Sequence, residues 1–106
     1  MMVTDILTVL NRKRVMEYAD KHHLPAIYEY ASLVRDGGLM AYGPDVDTIF
    51  DRAAGLAERI LKGAKPGDLP LELPTRFQFA INLKTAKAIG LTIPEAILLR
   101  ADDVIE

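Results

Sequence analysis

The apolar residues of this chain change repeatedly between a helical spacing and a strand-like one, and this alternation limits the possible folds more than any other feature. In residues 45–62 they recur every three or four positions, which is typical of a helix with one apolar face. In residues 77–82, Phe77, Phe79 and Ile81 alternate with Gln, Ala and Asn, as in a half-buried strand. Together with the shorter segments around them, this order predicts an α/β fold with a three-layer arrangement of alternating helices and a mainly parallel sheet.

The shorter elements are predicted from the same spacing and from start and stop signals. Helices are predicted over residues 12–23, over 31–36, from 84 to 90 and from Pro94 onward, and strands over 24–30, 39–42 and 102–106. Asn11 is the predicted N-cap of the helix over 12–23. Residues 1–10 are ambiguous, because Thr4 or Asp5 could cap a first turn or the segment could be a frayed arm. Residues 62–74 contain three prolines and two glycines and are predicted to be an extended connector.

Composition and charge exclude several classes of protein. The chain has 106 residues, half of them apolar and a quarter charged, with a net charge of −2, which is typical of a soluble globular domain. The only basic run is Asn11 to Arg14, and we interpret it as a solvated helix face rather than a nucleic-acid site. The chain has no cysteine, and its first residues do not match a secretory signal.

The sequence contains no recognisable catalytic motif, cofactor-binding motif or group of metal ligands. His22 and His23 are adjacent, so on a helix they point about 100° apart and cannot both face one metal ion. Ser32 lacks a glycine-flanked nucleophile elbow, and no phosphate-binding glycine loop is present. The acidic pairs are interpreted as a helix cap and a polar terminus: Asp45 with Asp47, and Asp102 with Asp103. We therefore expect no enzyme, no metal site and no cofactor.

The tyrosines near the predicted strand ends suit a binding role better. Ligands of parallel α/β sheets bind beyond the carboxyl ends of the strands. Tyr28 and Glu29 lie at one such end, and Tyr42 and Gly43 at another. A tyrosine combines an apolar ring with a hydroxyl, as pocket walls often do, although core packing explains Tyr28 and Tyr42 equally well. We expect the two phenols to share one rim of the molecule, with Glu29 facing either a ligand or solvent.

Three segments in order carry a family resemblance: "LPAIYEYASLVRDGGLMAYGPD", "RAAGLAERILKGAKPGDLPLELPTRFQFAINLKTAKAIGLTIP" and "LLRADDVIE". Through them the chain from Asn11 onward resembles the C-terminal part of ABC transporter substrate-binding proteins of the tryptophan/tyrosine-type uptake family. The resemblance implies a type I periplasmic-binding-protein fold, in which two α/β lobes joined by three crossing segments hold a ligand in the cleft between them. It also implies an incomplete chain, because family members are longer and begin with an export or lipoprotein signal.

The resemblance divides the chain into four parts, namely C-lobe strands and helices over 11–42, a helix of the opposite lobe over 43–65, a connector over 66–76, and a return strand with terminal helices over 77–106. It places Tyr28 and Glu29 facing the cleft, and Tyr42 and Gly43 at its mouth. We take these four as the candidate ligand-binding residues.

The function implied is that of the solute-binding component of an ABC-type uptake transporter. Such a protein captures a small organic solute, for example an amino acid or an aromatic compound, and delivers it to a membrane permease. The implied location is periplasmic, or anchored on the outer side of the cytoplasmic membrane. Because the chain alone leaves apolar faces without partners, we expect that it does not bind solute by itself and that it forms a homodimer. The alternative is a small α/β regulatory or oligomerisation domain without a solute.

Overall fold

The structure, a computed structural model, describes all 106 residues. In chain order the elements are α1 (Ile6–Leu10), α2 (Arg12–Lys21), β1 (Ile27–Tyr28), α3 (Ala31–Arg35), β2 (Met40–Pro44), α4 (Val46–Leu61), a 3₁₀ turn (Pro66–Asp68), β3 (Phe77–Asn82), α5 (Leu83–Ala88), α6 (Glu95–Leu98) and β4 (Asp103–Ile105). The predicted α/β fold is confirmed. None of the helices combines the length and the apolar character that crossing a membrane would need.

The four strands form one sheet in the order β1-β2-β3-β4. β1 is parallel to β2, with Tyr28 beside Ala41, and β3 is parallel to β4. β2 and β3 are antiparallel. Two contacts show this: the amide of Asn82, late in β3, donates to the carbonyl of Leu39, just before β2, and Phe79, early in β3, lies against Tyr42, late in β2. The sheet is mainly parallel, as the sequence predicts.

The chain divides into two compact units. The first comprises residues 1–43 and 78–106 and has a core made by α2, α3 and three strands. The core residues are Met16, Tyr28, Leu33, Val34, Ala41 and Ala80. Here the core-facing residues of the strands are small apart from Tyr28, so the helices can approach the sheet closely.

The second unit comprises residues 44–77, which are α4 and the connector. α4 begins at an Asp45 cap and contains no buried residue, although its apolar stripe is the clearest in the sequence. Phe50 is 69% exposed and Leu61 is 88% exposed. Arg52 holds the connector by donating to the carbonyl of Leu73 at 3.4 Å and by pairing with Glu72 at 3.8 Å. The assignment of these residues to an opposite lobe stays a prediction.

Two local predictions need correction, and one open alternative is decided. Asn11 makes no side-chain cap for α2, because its amide donates instead to the carbonyl of Leu7, one turn back in α1. The N-terminal segment forms α1, so the capped first turn is confirmed over the frayed arm, with Asp5 and Thr8 in a reciprocal capping box. β1 covers only two residues of the predicted strand over 24–30.

Candidate ligand-binding site

Several of the predicted site residues meet at one edge of the sheet in the first unit. β1 and β2 are parallel, so Glu29, which follows β1, lies at the same edge as Tyr42 and Gly43 near the end of β2. Because β3 runs in the opposite direction, Phe79 near its beginning reaches this edge as well. Asp102, which precedes β4, is hydrogen-bonded to Phe79. We name Glu29, Tyr42, Phe79 and Asp102 the strand-end cluster.

Tyr42 and Phe79 form the aromatic part of the strand-end cluster. Their ring centroids are 6.4 Å apart and their planes meet at 75°, which is the edge-to-face arrangement that aromatic pairs favour. The amide and carbonyl of Phe79 both bond toward β4, so Tyr42 and Phe79 are a non-hydrogen-bonded cross-strand pair, the kind in which side chains approach most closely. Tyr42 remains 57% exposed, so its ring is a surface that a ligand could cover.

Tyr28 does not join the strand-end cluster. Its side chain is 1% exposed and lies in the core. In the parallel register Tyr28 is beside Ala41, another core residue, and successive residues of β2 point to opposite faces of the sheet. Tyr42 therefore points to the face opposite Tyr28, and the expectation of a shared rim is wrong. The pattern of residues in the sequence indicates where a strand ends, but it does not indicate the register of that strand against its neighbour.

Burial also changes the chemistry of Tyr28. The pKa of its phenol is raised, first because burial disfavours the phenolate and second because the negative charge of Asp20 opposes it. The side chain leaves a ligand no surface to contact in this structure. We therefore omit Tyr28 from the site proposed below.

Gly43 lies close to the backbone of Glu29, the residue that follows β1. A Cβ atom at this position would collide with the carbonyl oxygen of Glu29, so a glycine is required by packing alone. A ligand contact at Gly43 stays a prediction. The absence of a side chain at Gly43 affects the site mainly by letting Glu29 lie directly against β2.

Glu29 is half-buried and influences the next tyrosine along the chain. The pKa of Tyr30 is raised, mainly by burial, and further by the charge of Glu29 and by hydrogen bonding to it. The carboxylate of Glu29 is therefore partly satisfied within the protein. The exposed part of this carboxylate can still contact an ammonium or hydroxyl group of a ligand.

Two members of the strand-end cluster are not predicted by the sequence. The alternation places Phe79 in a strand, as the structure does, but nothing in the sequence indicates that β3 pairs with β2 in the register that brings Phe79 to Tyr42. The sequence predicts only a polar terminus for Asp102. Its carboxylate instead accepts a hydrogen bond of 2.8 Å from the amide of Phe79. A signal for this contact is absent from the sequence because the two residues are 23 positions apart.

The second unit contains a buried carboxylate, Asp45, which is 6% exposed. It accepts hydrogen bonds from the Thr48 hydroxyl at 2.9 Å and the Asp47 amide at 3.2 Å, and it pairs with Arg76 at 3.3 Å. The Thr48 bond is the largest of the effects that hold the pKa of Asp45 below the ordinary value, although burial opposes them. These partners make Asp45 the cap of α4, as the sequence predicts.

One cavity of the first unit lies away from the strand ends. Its volume is about 450 Å³, it lies between α2 and the end of α3, and its lining includes Met16 and the Arg12–Asp36 ion pair of 2.8 Å. No three acidic or histidine side chains lie close enough together to hold a metal ion.

Comparison with known proteins identifies the class. Residues 1–105 match the family model described as ABC transporter substrate binding protein. This family is one of solute-binding proteins and not of enzymes. The chain belongs to the ABC transporter substrate-binding protein family, so the resemblance found in the sequence is confirmed.

Individual relatives agree with this assignment. A tyrosine-binding protein of Clostridioides difficile (strain R20291) is 30% identical over 88 residues, which are 83% of this chain and 26% of that protein. Among solved structures, the ABC domain in complex with L-Trp from Streptococcus pneumonia superimposes with a TM-score of 0.85 at 29% identity, over 95% of this chain and 35% of that one. A conserved domain protein from Vibrio cholerae has a TM-score of 0.88 at 28% identity, over 94% of this chain and 34% of that one. The chain thus spans about a quarter to a third of the length of these relatives.

Proposed function

We propose that this chain is one part of the solute-binding component of an ABC-type uptake transporter, and that the complete component captures an amino acid or a related aromatic solute in a cleft between two lobes. The component delivers that solute to a membrane permease and works outside the cytoplasmic membrane. The observation that carries the proposal is the edge-to-face pair of the exposed Tyr42 and the half-buried Phe79, which lies beside Glu29 at the strand ends.

The chemistry of the strand-end cluster suits such a solute. The ring of Tyr42 offers an apolar surface on which a planar group can stack, and its phenol offers a polar contact. The carboxylate of Glu29 would attract the ammonium group of an amino acid. The relatives whose names specify a ligand bind tyrosine or contain L-Trp, both of which combine an aromatic ring with an ammonium group.

An open surface of this kind is insufficient for tight binding. Small-molecule sites enclose most of the ligand's surface, whereas Tyr42 faces solvent in this chain. We propose that the opposite wall of the cleft belongs to a lobe that this chain does not supply, and that closure of the two lobes around the solute completes the site. The chain alone would then bind solute weakly or not at all.

The proposal is tested by calorimetric titration of L-tryptophan, L-tyrosine and L-lysine into two proteins, namely this chain and the longest product of its reading frame. We expect the longer product to bind at least one aromatic amino acid and this chain to bind none. Tyr42→Ala in the longer product should weaken binding by about tenfold or more, because burying an aromatic side chain is worth about 1.5–3 kcal/mol.

Tyr18→Ala is the matched control, because Tyr18 is 61% exposed on α2, outside the strand-end cluster, and its loss should leave the affinity unchanged. Failure of both proteins to bind any of the three amino acids would contradict the proposed solute class. Equal affinities of the two proteins would contradict the two-lobe part of the proposal.

A further inference from the structure

The hydroxyl oxygen of Thr4 is the only buried side-chain nitrogen or oxygen atom of the chain that has no hydrogen-bond partner. Polar groups next to it in the chain are paired with one another. The amide of Thr8 donates to the carboxylate of Asp5 at 2.8 Å, and the hydroxyl of Thr8 donates to the carbonyl of Val3 at 3.0 Å. A buried hydroxyl without a partner costs free energy, and native proteins contain few of them. The hydroxyl of Thr4 therefore points to a partner from outside this chain.

Thr4 lies near the strand ends, because residues 1–4 run along the outer edge of β1. β1 is the first strand of the sheet, and the amide of Met2 donates to the carbonyl of Ile27 in it at 3.0 Å. The chain then passes through α1 and α2 before it returns as β1, and a connection through helices is typical of neighbours that run parallel. Thr4, two residues beyond Met2, thus lies at the edge where β1 ends and Glu29 follows.

The side chain of Thr4 is placed so that a solute can reach it. The residue as a whole is only half-buried, and it lines a cavity of about 390 Å³ together with Asp5, Ile6, Val9 and Leu10. Because its hydroxyl makes no hydrogen bond, no polar contact holds the present rotamer. A turn about χ1 exchanges the hydroxyl with the methyl group between two staggered positions. Such a turn brings the hydroxyl to a solute without breaking a hydrogen bond.

We propose that Thr4 is a solute-contacting residue, whose hydroxyl donates a hydrogen bond to the carboxylate of the bound amino acid. The inference rests on the proposed function and deepens it. The strand-end cluster contains two acidic residues, Glu29 and Asp102, and no basic one, so the carboxylate of the solute needs a neutral donor. A threonine hydroxyl is such a donor, whereas Glu29 suits the ammonium group.

Thr85 provides a matched comparison. Its hydroxyl is partly buried as well, but it donates to the carbonyl of Gly37 at 2.9 Å. Thr85 lies in α5, just after Asn82 at the end of β3, and β3 is antiparallel to β2, so this hydroxyl is at the opposite edge of the sheet. Threonine-to-valine substitution removes a hydroxyl and nearly keeps the shape of the side chain. The two valine variants should therefore have opposite effects on stability and on solute binding.

The first measurement is urea unfolding of the 106-residue chain, which needs no solute. Thr4→Val should unfold at the same urea concentration as the parent chain or at a higher one, because no hydrogen bond is lost. Thr85→Val should unfold at a lower concentration, because the carbonyl of Gly37 loses its donor. A decrease in Thr4→Val as large as that in Thr85→Val would overturn the proposal, since the hydroxyl of Thr4 would then have a structural partner.

The second measurement is calorimetric titration of L-tryptophan and L-tyrosine into the longest product of the reading frame. Thr4→Val should weaken binding by about fivefold or more, as expected for one lost hydrogen bond, and Thr85→Val should leave the affinity unchanged. Thr4→Ser retains the hydroxyl and should bind within about twofold of the parent.

These outcomes separate this inference from the proposed function. Unchanged affinity in Thr4→Val would overturn the contact at Thr4 and leave the proposed function standing. An equal loss in Thr4→Ser would also overturn it, because the shape of the side chain rather than its hydroxyl would then matter. If the parent product binds neither amino acid, the proposed function is contradicted and the contact at Thr4 falls with it.

Discussion

The ring of Tyr28 lies directly over Gly38. A Cβ atom at position 38 would come within 2.7 Å of Cε2 and 2.8 Å of Cδ2 of that ring, and within 2.9 Å of the carbonyl oxygen of Leu33. The tyrosine is 1% exposed and packed by the core, so it has no room to retreat. The second glycine after α3 is thus required by the size of the buried side chain beside it.

Gly38→Ala should destabilise the protein by about 1–3 kcal/mol, because one added methyl group overpacks a closed core. Urea unfolding followed by circular dichroism measures the change. Gly67→Ala is the matched control, since a Cβ atom there meets no other atom within 4 Å, and its stability should stay within about 0.5 kcal/mol of the parent protein. Equal effects of the two substitutions would show that the core around Tyr28 is not closely packed.

Gly43→Ala should also destabilise the protein, by about 1–3 kcal/mol, because the new methyl group would collide with the carbonyl oxygen of Glu29 and force β1 away from β2. The same urea experiment measures it without any solute present. A stable Gly43→Ala variant that had lost only solute binding would instead assign Gly43 a direct ligand role.

The pKa of Asp45 leads to a prediction about acid stability. Its pKa is lowered in the folded protein, with the Thr48 hydroxyl as the largest cause and Arg76 a smaller one. The folded state thus binds a proton less readily than the unfolded state, whose carboxyl titrates near about 4. The stabilisation is fully present above that pH and is lost as the pH falls through the lowered value.

Carbon-13 NMR titration of the Asp45 carboxyl tests this assignment. Thr48→Val removes the hydroxyl with little change of shape and should raise the pKa of Asp45 more than Arg76→Gln does. The order of the two effects is the diagnostic result, and the reverse order would show that charge pairing rather than the hydroxyl dominates.

The accuracy of the sequence-based predictions differed between elements for physical reasons. α4 and β3 were placed almost to the residue, because a long amphipathic period and a clean alternation depend only on local spacing. β1 was predicted too long, since its two residues are defined by pairing with β2 and not by their own pattern. The Asn11 cap was wrong because the α1 carbonyl competes for the same side chain.

The candidate site was harder to predict than the fold. Tyr42 and Glu29 were placed at strand ends from their positions along the chain, which local signals can supply. Phe79 and Asp102 join them only through strand pairing between segments far apart in sequence. Tyr28 was grouped with Tyr42 because both are tyrosines near strand ends, whereas the register puts them on opposite faces.

Tyr28 should make the protein sensitive to alkali. Its pKa is raised by burial, with the charge of Asp20 as a smaller cause, so the folded state keeps the proton more firmly than the unfolded state does. The stabilisation is present below the unfolded pKa of about 10 and is lost as the pH rises through the folded value. Urea unfolding between pH 8 and about 11 should show a decline that is weaker in Tyr28→Phe. An equal decline in that variant would assign the effect to another group.

The exposed stripe of α4 predicts self-association of the isolated chain. Four of its large apolar residues, Ile49, Phe50, Ile60 and Leu61, are exposed, whereas Leu56 is half-buried. Covering the two most exposed, Phe50 and Leu61, gains about 1.5–3 kcal/mol each, which is large against a typical domain stability of about 5–15 kcal/mol. We propose that a second copy of the chain covers this face when no other lobe does, and sedimentation equilibrium should then give the mass of a dimer.

Charge on the stripe should reverse this association. The double substitution Phe50→Glu and Leu61→Glu places two like charges on the proposed contact, so the dimer should dissociate to monomer at the same concentration. Leu7→Glu is the control, because Leu7 is an equally apolar, exposed residue on α1, outside the second unit. If the parent chain has a concentration-independent monomer mass and melts cooperatively, its two units are stable without a partner and the dimer is wrong. If Leu7→Glu dissociates the dimer as well as the α4 pair does, the contact surface extends to α1 rather than being confined to α4.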